Sequence, residues 1–136
     1  MATIRKEIAL AARPDDAWDA LRDFQAVHER LAPGFVVDSR PDGDHARLVT
    51  FSNGATAREV LVGVDDDARR LAYCIPEGLP DCTHHSASAE VIPDDGGCRF
   101  VWVTDVLPDE LAEIIEPMMQ QGAAVIETTL GAHARV

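Results

Sequence analysis

Residues 47–64 read RLVTFSNGATAREVLVGV, and this stretch decides the fold. Two runs of β-prone residues lie on either side of Asn53-Gly54, a pair that tolerates the positive φ angles of a hairpin turn. The stretch therefore predicts two antiparallel strands. Further β-prone runs that end at turn residues occupy positions 35–37, 70–75, 86–92 and 99–106. Strands that follow one another this closely leave no length for crossover helices, so we expect a mostly antiparallel sheet.

The region before these runs predicts one strand and two short helices. Residues 3–11 are typical of a strand that leads directly into a helix. Pro14 suits the first turn of that helix, and Asp15 and Asp16 place negative charge where the helix dipole favours it. A second helical stretch, about 24–31, ends before Pro33-Gly34.

The last element is predicted to be a long helix over 108–133. Its apolar residues recur every three to four positions, at Leu111, Ile115, Met118, Met119, Gly122 and Ile126. Pro117 interrupts this pattern, because an interior proline loses a hydrogen bond and kinks a helix. We therefore expect a short helix at 108–115 and a longer one that restarts near Pro117 and reaches about His133. One helix against so many strands favours a curled sheet with space left between sheet and helix.

Composition excludes several classes of protein. The 136 residues suit a single domain spanning 1–136, and 46% hydrophobic residues are enough for a core. The net charge of −12 disfavours nucleic acid and anionic lipid as partners, because both are negatively charged. No apolar run approaches the length of a membrane span, about 18 residues. Three cysteines without CxxC spacing indicate reduced thiols, and with no apolar signal-peptide stretch at the start we expect a cytoplasmic protein.

This order of elements, together with several local strings, resembles the START/SRPBCC superfamily, whose small bacterial members include polyketide cyclases/dehydratases and lipid-transport-like proteins. The strings lie at residues 12–18, 47–54, 58–61, 64–73 and 97–102. The resemblance implies an α+β helix-grip fold, in which a curved antiparallel sheet of about seven strands wraps around a long C-terminal helix. It further implies that a small hydrophobic or aromatic metabolite binds in a cavity between sheet and helix.

The hairpin leaves open which of Arg58 and Glu59 faces that cavity. A strict two-residue loop at Asn53-Gly54 aligns Arg58 with Val49, whereas the superfamily pattern puts Glu59 inward and needs a three-residue loop or a bulge. We adopt the inward glutamate. Alternation along the strands then brings Glu59 and Arg47 onto the same face of neighbouring strands. The predicted ligand contacts are Arg47, Val49, Phe51, Glu59, Leu61, Tyr73, His85, Ala87, Trp102, Ile115, Met118, Met119, Gly122 and Ile126.

Three functions are compatible with these residues. In the first, the protein binds or carries a small hydrophobic ligand, and Glu59 and Arg47 form its polar anchor or only a structural ion pair. In the second, which the resemblance suggests, a polyketide cyclase/aromatase or dehydratase uses Glu59, Tyr73 and His85 for proton transfer. In the third, the chain is a protein-interaction module of the co-chaperone or stress-response type, with a vestigial cavity.

Two further patterns concern metals and partners. Cys82, His84 and His85 are zinc-ligand types, but adjacent strand residues point to opposite faces, so we expect no metal site and no cofactor. Val60, Val62 and Val64 form an apolar stripe on the outward face of their strand, where polar residues are usual. This stripe predicts a homodimer or a covering loop.

Overall fold

The computed structural model describes residues 1–131 and contains one seven-stranded antiparallel sheet. Its strands are β1 (Ala2–Leu10), β2 (Val36–Pro41), β3 (Ala46–Phe51), β4 (Thr56–Asp65), β5 (Arg70–Cys74), β6 (His84–Asp94) and β7 (Gly97–Leu107). They pair in the order β1-β7-β6-β5-β4-β3-β2. The helical elements are α1 (Pro14–Arg22), a 3₁₀ turn (Phe24–Ala26), a π-helical turn (Val27–Leu31), a second 3₁₀ turn (Asp109–Leu111) and α2 (Ala112–Leu130). The predicted α+β helix-grip fold is confirmed.

The β3–β4 hairpin closes with a three-residue loop. The Phe51 N–H donates to the Ala55 carbonyl at 2.8 Å, and the Gly54 N–H donates to the Phe51 carbonyl at 2.9 Å. Gly54 has a φ of +87°, which a glycine adopts without steric penalty. Position 52 therefore joins Asn53 and Gly54 in the loop, and the register pairs Arg47 with Glu59. This register, and not the two-residue alternative, places Glu59 on the inner face.

Helix α2 runs without a break through Pro117, so the predicted interruption there is wrong. A proline at this position removes the bond that its nitrogen would have donated to the Glu113 carbonyl. Both residues lie on the exposed face of the helix, so the freed carbonyl is accessible to solvent. The buried face carries Met119, Gly122 and Ile126 toward the sheet. His133, the expected helix end, lies outside the described residues.

A β-bulge in β4 changes the expected apolar stripe. The pairing with β5 shifts by one residue between Leu61 and Gly63, so Val62 has no direct partner. Beyond the bulge, Val64 pairs with Leu71, a buried residue on the inner face. The bulge therefore moves Val64 to the inner face and Gly63 to the outer face, contrary to strict alternation. Val62 remains 66% exposed.

The core lies on the concave side of the sheet, in two clusters of buried side chains. The larger cluster joins α1 and the π-helical turn to the strands, and the smaller one surrounds Val106 and Met119. Trp102 packs against both clusters. Within residues 1–131, no helix is long and apolar enough to cross a membrane.

Candidate functional site

Arg47 and Glu59 form a buried ion pair on the concave face. The Nε and Nη2 atoms of Arg47 lie 2.8 and 2.7 Å from Oε1 of Glu59, and each side chain is only 8% exposed. Nη1 of Arg47 donates to the Phe24 carbonyl at 2.7 Å, and the guanidinium lies 3.7 Å from the centre of the Phe24 ring. The arginine therefore ties the 3₁₀ turn to the sheet while it neutralises the carboxylate.

The second carboxylate oxygen of Glu59 is free to accept a hydrogen bond. Both contacts with Arg47 use Oε1, and no hydrogen bond between residues 1–131 uses Oε2. Because the side chain lines two cavities, this oxygen is available to a molecule inside them. The pair is a net-neutral group that still offers one strong acceptor.

Tyr73 lies beside the pair, on β5. Its hydroxyl oxygen accepts a hydrogen bond from Nε1 of Trp102 at 3.1 Å. Burial, together with the negative charge of Glu59, raises the pKa of Tyr73 far above its ordinary value. The hydroxyl therefore keeps its proton at neutral pH and acts as a hydrogen-bond donor.

His85, on β6, is a neutral imidazole. The backbone N–H of Ile75 donates to Nδ1 of His85 at 3.2 Å, which places the ring proton on Nε2. Burial lowers the pKa of His85, and the nearby Glu59 charge opposes this shift only in part. The ring centre lies 6.1 Å from that of Tyr73. His85 therefore offers an N–H donor near the same carboxylate.

The space between sheet and α2 is divided into two small cavities. One has a volume of about 50 Å³ and the other about 60 Å³. Glu59 and four aromatic residues line both of them: Phe35, Phe51, Tyr73 and Trp102. Pockets for drug-sized ligands are usually about 300–1,000 Å³. The predicted ligand cavity between sheet and helix therefore stays a prediction, because each space seen here is smaller than a drug-sized ligand needs.

Most of the predicted ligand contacts line one or both cavities. They are Arg47, Phe51, Glu59, Tyr73, His85, Trp102, Ile115, Met118, Met119 and Ile126. The other four predicted contacts do not line either cavity, namely Val49, Leu61, Ala87 and Gly122. Val49 and Ala87 are buried in the packed core. Gly122 instead lies against the rings of Phe35 and Trp102, which a Cβ atom would meet at 3.0 Å.

Sequence reasoning missed the residues that close the site from the helical side. Leu21 from α1, Val27 and Leu31 from the π-helical turn, and Phe35 from the following loop all line the first cavity. The alternation rule finds inward residues only in strands, so it does not reach these positions. The available signal was Pro33-Gly34, which turns the chain immediately before Phe35.

The histidines and cysteine considered for metal binding are separated. His84 is exposed and its Nε2 lies 3.2 Å from Oγ of Ser86, whereas His85 is buried on the other face of β6. Cys82 donates its thiol hydrogen to the His84 carbonyl. In the part of the chain that the structure describes, no three potential metal ligands lie close enough to hold an ion.

A curved antiparallel sheet that packs around a long C-terminal helix is the helix-grip fold. The chain belongs to the family described as polyketide cyclase/dehydrase and lipid transport, whose sequence model matches residues 1–131. The resemblance drawn from the sequence is therefore confirmed. No curated protein matches the sequence.

Solved structures show the same fold. A Thermobifida fusca protein is 30% identical over the whole of both chains, with a TM-score of 0.71. Norcoclaurine synthase from Thalictrum flavum is 22% identical, with a TM-score of 0.69 over 95% of this chain and 93% of its own. The di-domain ARO/CYC BexL of the BE-7585A biosynthetic pathway is 16% identical, with a TM-score of 0.73. That match covers 96% of this chain and 45% of BexL.

Proposed function

We propose that this protein binds a small, uncharged, mainly apolar molecule that carries a hydroxyl group. The observation that carries the proposal is the free Oε2 of Glu59, which lies among aromatic side chains and has no partner in residues 1–131. Because this oxygen borders the cavity and is not one of the fully buried side-chain atoms without a partner, a donor from a ligand in the cavity can reach it. Membership of a family described by polyketide and lipid chemistry supports an apolar ligand.

The charges of the site support an uncharged ligand. Arg47 and Glu59 cancel, His85 is neutral and Tyr73 keeps its proton, so no unpaired charge is present to stabilise an ionic group. Transfer of a carboxylate or an ammonium group into this apolar space would cost several kcal/mol. A hydroxyl can instead donate to Glu59 and accept from Tyr73 or His85.

A comparison of p-cresol with toluene tests the role of Glu59. The two compounds share the ring and methyl group, so the difference in affinity reports the hydroxyl contact. A hydrogen bond to a charged acceptor contributes about 1.5–3 kcal/mol, so the wild-type protein is expected to prefer p-cresol at least about tenfold. In Glu59→Gln this preference falls below about threefold, because the neutral amide is a weaker acceptor. Isothermal titration calorimetry measures both affinities.

Glu90→Gln is the matched control. Glu90 pairs with Arg70 on the outer face of the sheet, so the substitution removes one carboxylate but leaves the cavities unchanged. It is expected to keep the wild-type preference. An equal preference for p-cresol in Glu59→Gln and wild type would refute the proposal, as would an absence of binding by the wild-type protein.

A cyclase/aromatase or dehydratase activity is the second candidate. The observation that favours it is the convergence of an acceptor at Glu59 with N–H and O–H donors at His85 and Tyr73. In such a reaction, an enol carbon of a poly-β-ketone attacks a ketone of the same chain. The ketone oxygen takes up a proton and becomes a hydroxyl group. This group takes a second proton and leaves as water, while a base removes a proton from the neighbouring carbon and a C=C bond forms. The structural likeness to BexL supports the idea.

Tyr73→Phe separates this candidate from simple binding. If the hydroxyl takes part in proton transfer, the rate of cyclisation of a synthetic poly-β-ketone thioester falls about 100-fold or more, while the affinity for its product changes little. Equal turnover by Tyr73→Phe and wild type, or none by the wild-type protein, would rule the activity out.

The proposals on location and assembly rest on simpler observations. The three cysteines are unpaired, which suits the reducing cytoplasm. A homodimer through the outer face of β4 stays a prediction. Val60 and Val62 would form its apolar contact, and Val64 would not, because the bulge moves it to the inner face. Sedimentation of wild type and Val62→Lys tests it, since a lysine at the centre of an apolar interface would dissociate the dimer.

A further inference from the structure

The two cavities beside Glu59 share a wall of aromatic rings. Both cavities are bordered by the side chains of Phe35, Phe51, Tyr73 and Trp102. At about 50 and 60 Å³, neither cavity alone can hold an aromatic ring, because a dry cavity of about 150 Å³ is the size known to admit benzene. Movement of one of these four shared rings would join the two cavities into a space that a ring-sized ligand can enter beside Glu59.

Tyr73 and Trp102 are poor candidates for this movement. They lie on β5 and β7, the two strands that flank β6, and are joined by the hydrogen bond from Nε1 of Trp102. Displacing either ring would break that bond and leave a buried polar atom without a partner. Phe51 is also part of a strand, because it ends β3 opposite Val36.

Phe35 differs from the other three because it lies in a loop. It precedes β2 and follows Gly34, whose φ is +89°. Its backbone is held, since the carbonyl accepts a hydrogen bond from the Ser52 N–H at 2.9 Å. Its ring has only van der Waals and ring contacts, including one with Phe51 at 5.4 Å between centres. The side chain can therefore rotate while the backbone stays in place.

Gly122 explains how the Phe35 ring closes the wall against α2. A Cβ atom at this position would lie 3.0 Å from Cε2 of Phe35 and 3.0 Å from Cζ3 of Trp102. The missing side chain thus allows the edge of each ring to touch the helix. The Phe35 ring bridges the distance from Phe51 on the sheet to Gly122 on the helix, and it divides the space there.

We propose that Phe35 is the residue that sets the size of the ligand. Rotation of its ring away from Gly122 joins the two cavities into one space that includes the volume of the ring itself. This proposal rests on the proposed binding function, since the joined space surrounds the free oxygen of Glu59. A ligand larger than one ring must occupy the position that Phe35 holds in the closed state.

Two substitutions at Phe35 test the proposal with 1-naphthol and p-cresol as probes. Phe35→Ala removes the ring, and Phe35→Leu keeps an apolar side chain in case the alanine variant does not fold. Either variant is expected to bind 1-naphthol about tenfold or more tightly than wild type, because it no longer has to displace the ring. The gain for p-cresol is smaller, because one ring occupies less of the Phe35 position.

The kinetics of 1-naphthol binding give a second readout in stopped-flow fluorescence. In the wild-type protein, the observed rate is expected to level off with rising ligand concentration, because ring rotation precedes binding. In the Phe35 variants the rate rises linearly. Val91→Ala is the control, since Val91 is buried and borders neither cavity. It keeps the plateau and an affinity within about threefold of wild type.

The outcomes separate this proposal from the proposed function. If the Phe35 variants bind 1-naphthol no more tightly than Val91→Ala does, or bind neither probe, Phe35 does not set ligand size. If they bind naphthalene as tightly as 1-naphthol, the joined cavity exists but the role assigned to Glu59 is wrong. If wild type still prefers p-cresol to toluene but the Phe35 substitutions do not change the affinity for 1-naphthol, the binding function is supported and the role of Phe35 is refuted.

Discussion

Replacing Arg47 by methionine tests whether the charged pair is buried as the structure places it. The substitution keeps an apolar side chain of similar length but leaves the Glu59 carboxylate without its guanidinium. Removing one partner of a buried ion pair costs about 3–5 kcal/mol. The Phe24 carbonyl loses its donor as well. We therefore expect a loss of about 4 kcal/mol, a large part of the 5–15 kcal/mol typical of a folded domain.

A double variant measures the interaction free energy between the two charged side chains. In Arg47→Met with Glu59→Met, both charges are gone and apolar side chains fill the space, which is often neutral or stabilising. We expect the double variant to be within about 1.5 kcal/mol of wild type, although each single variant is much less stable. The coupling between the two positions should then exceed about 3 kcal/mol.

Urea unfolding followed by circular dichroism measures these changes. At about 2 kcal/mol per molar urea, a loss of about 4 kcal/mol lowers the midpoint by roughly 2 M. Arg58→Met is the control in the same hairpin, because Arg58 pairs with Asp42 at 2.7 Å with both side chains about half exposed. It should cost no more than about 1 kcal/mol. If Arg47→Met costs no more than Arg58→Met, the pair is solvated and the burial argument fails.

Three other predictions concern protonation, packing and thiol access. Because burial lowers the pKa of His85 in the folded state, the free energy of unfolding should fall as pH decreases below about 6.5, and His85→Gln should reduce this slope. Gly97→Ala should lower the free energy of unfolding, measured in urea, by about 3 kcal/mol or more, because a Cβ there would lie 1.9 Å from the Leu10 carbonyl oxygen. Gly63→Ala is the control and should lose less than about 1 kcal/mol, because a Cβ at Gly63 meets nothing within 4 Å. Cys98 should react with Ellman's reagent only on unfolding, because it is buried and its thiol pKa is raised.

Each of these predictions has an outcome that contradicts it. An unchanged pH slope in His85→Gln would mean that His85 titrates alike in the folded and unfolded chain. Equal stability of the two glycine variants would mean that β1 does not approach the β6–β7 turn as closely as the structure has it. Reaction of Cys98 at the rate of Cys74 and Cys82 in the folded protein would show that its strand is open to solvent.

Local chemistry was sufficient to predict the elements and their order. Turn residues after each β-prone run mark the strand ends, and the pattern from Leu111 to Ile126 marks the buried face of α2. Local reasoning could not predict the effect of Pro117. A lost backbone hydrogen bond interrupts a helix or leaves it intact according to whether the freed carbonyl lies on the buried or the exposed face of that helix. Similarly, the bulge at Val62 arises from pairing with β5 and has no signature in β4 alone.

The sequence by itself determined the fold class and the residues able to form a charged pair, since periodicity, turns and charge are local properties. It left open which residue of the hairpin faces inward, and the three-residue loop decided for Glu59. Only the tertiary structure decided the size and shape of the interior. Whether the rings of Phe35, Phe51 and Trp102 fill or border a cavity depends on how elements distant in sequence pack, and no single segment carries that information.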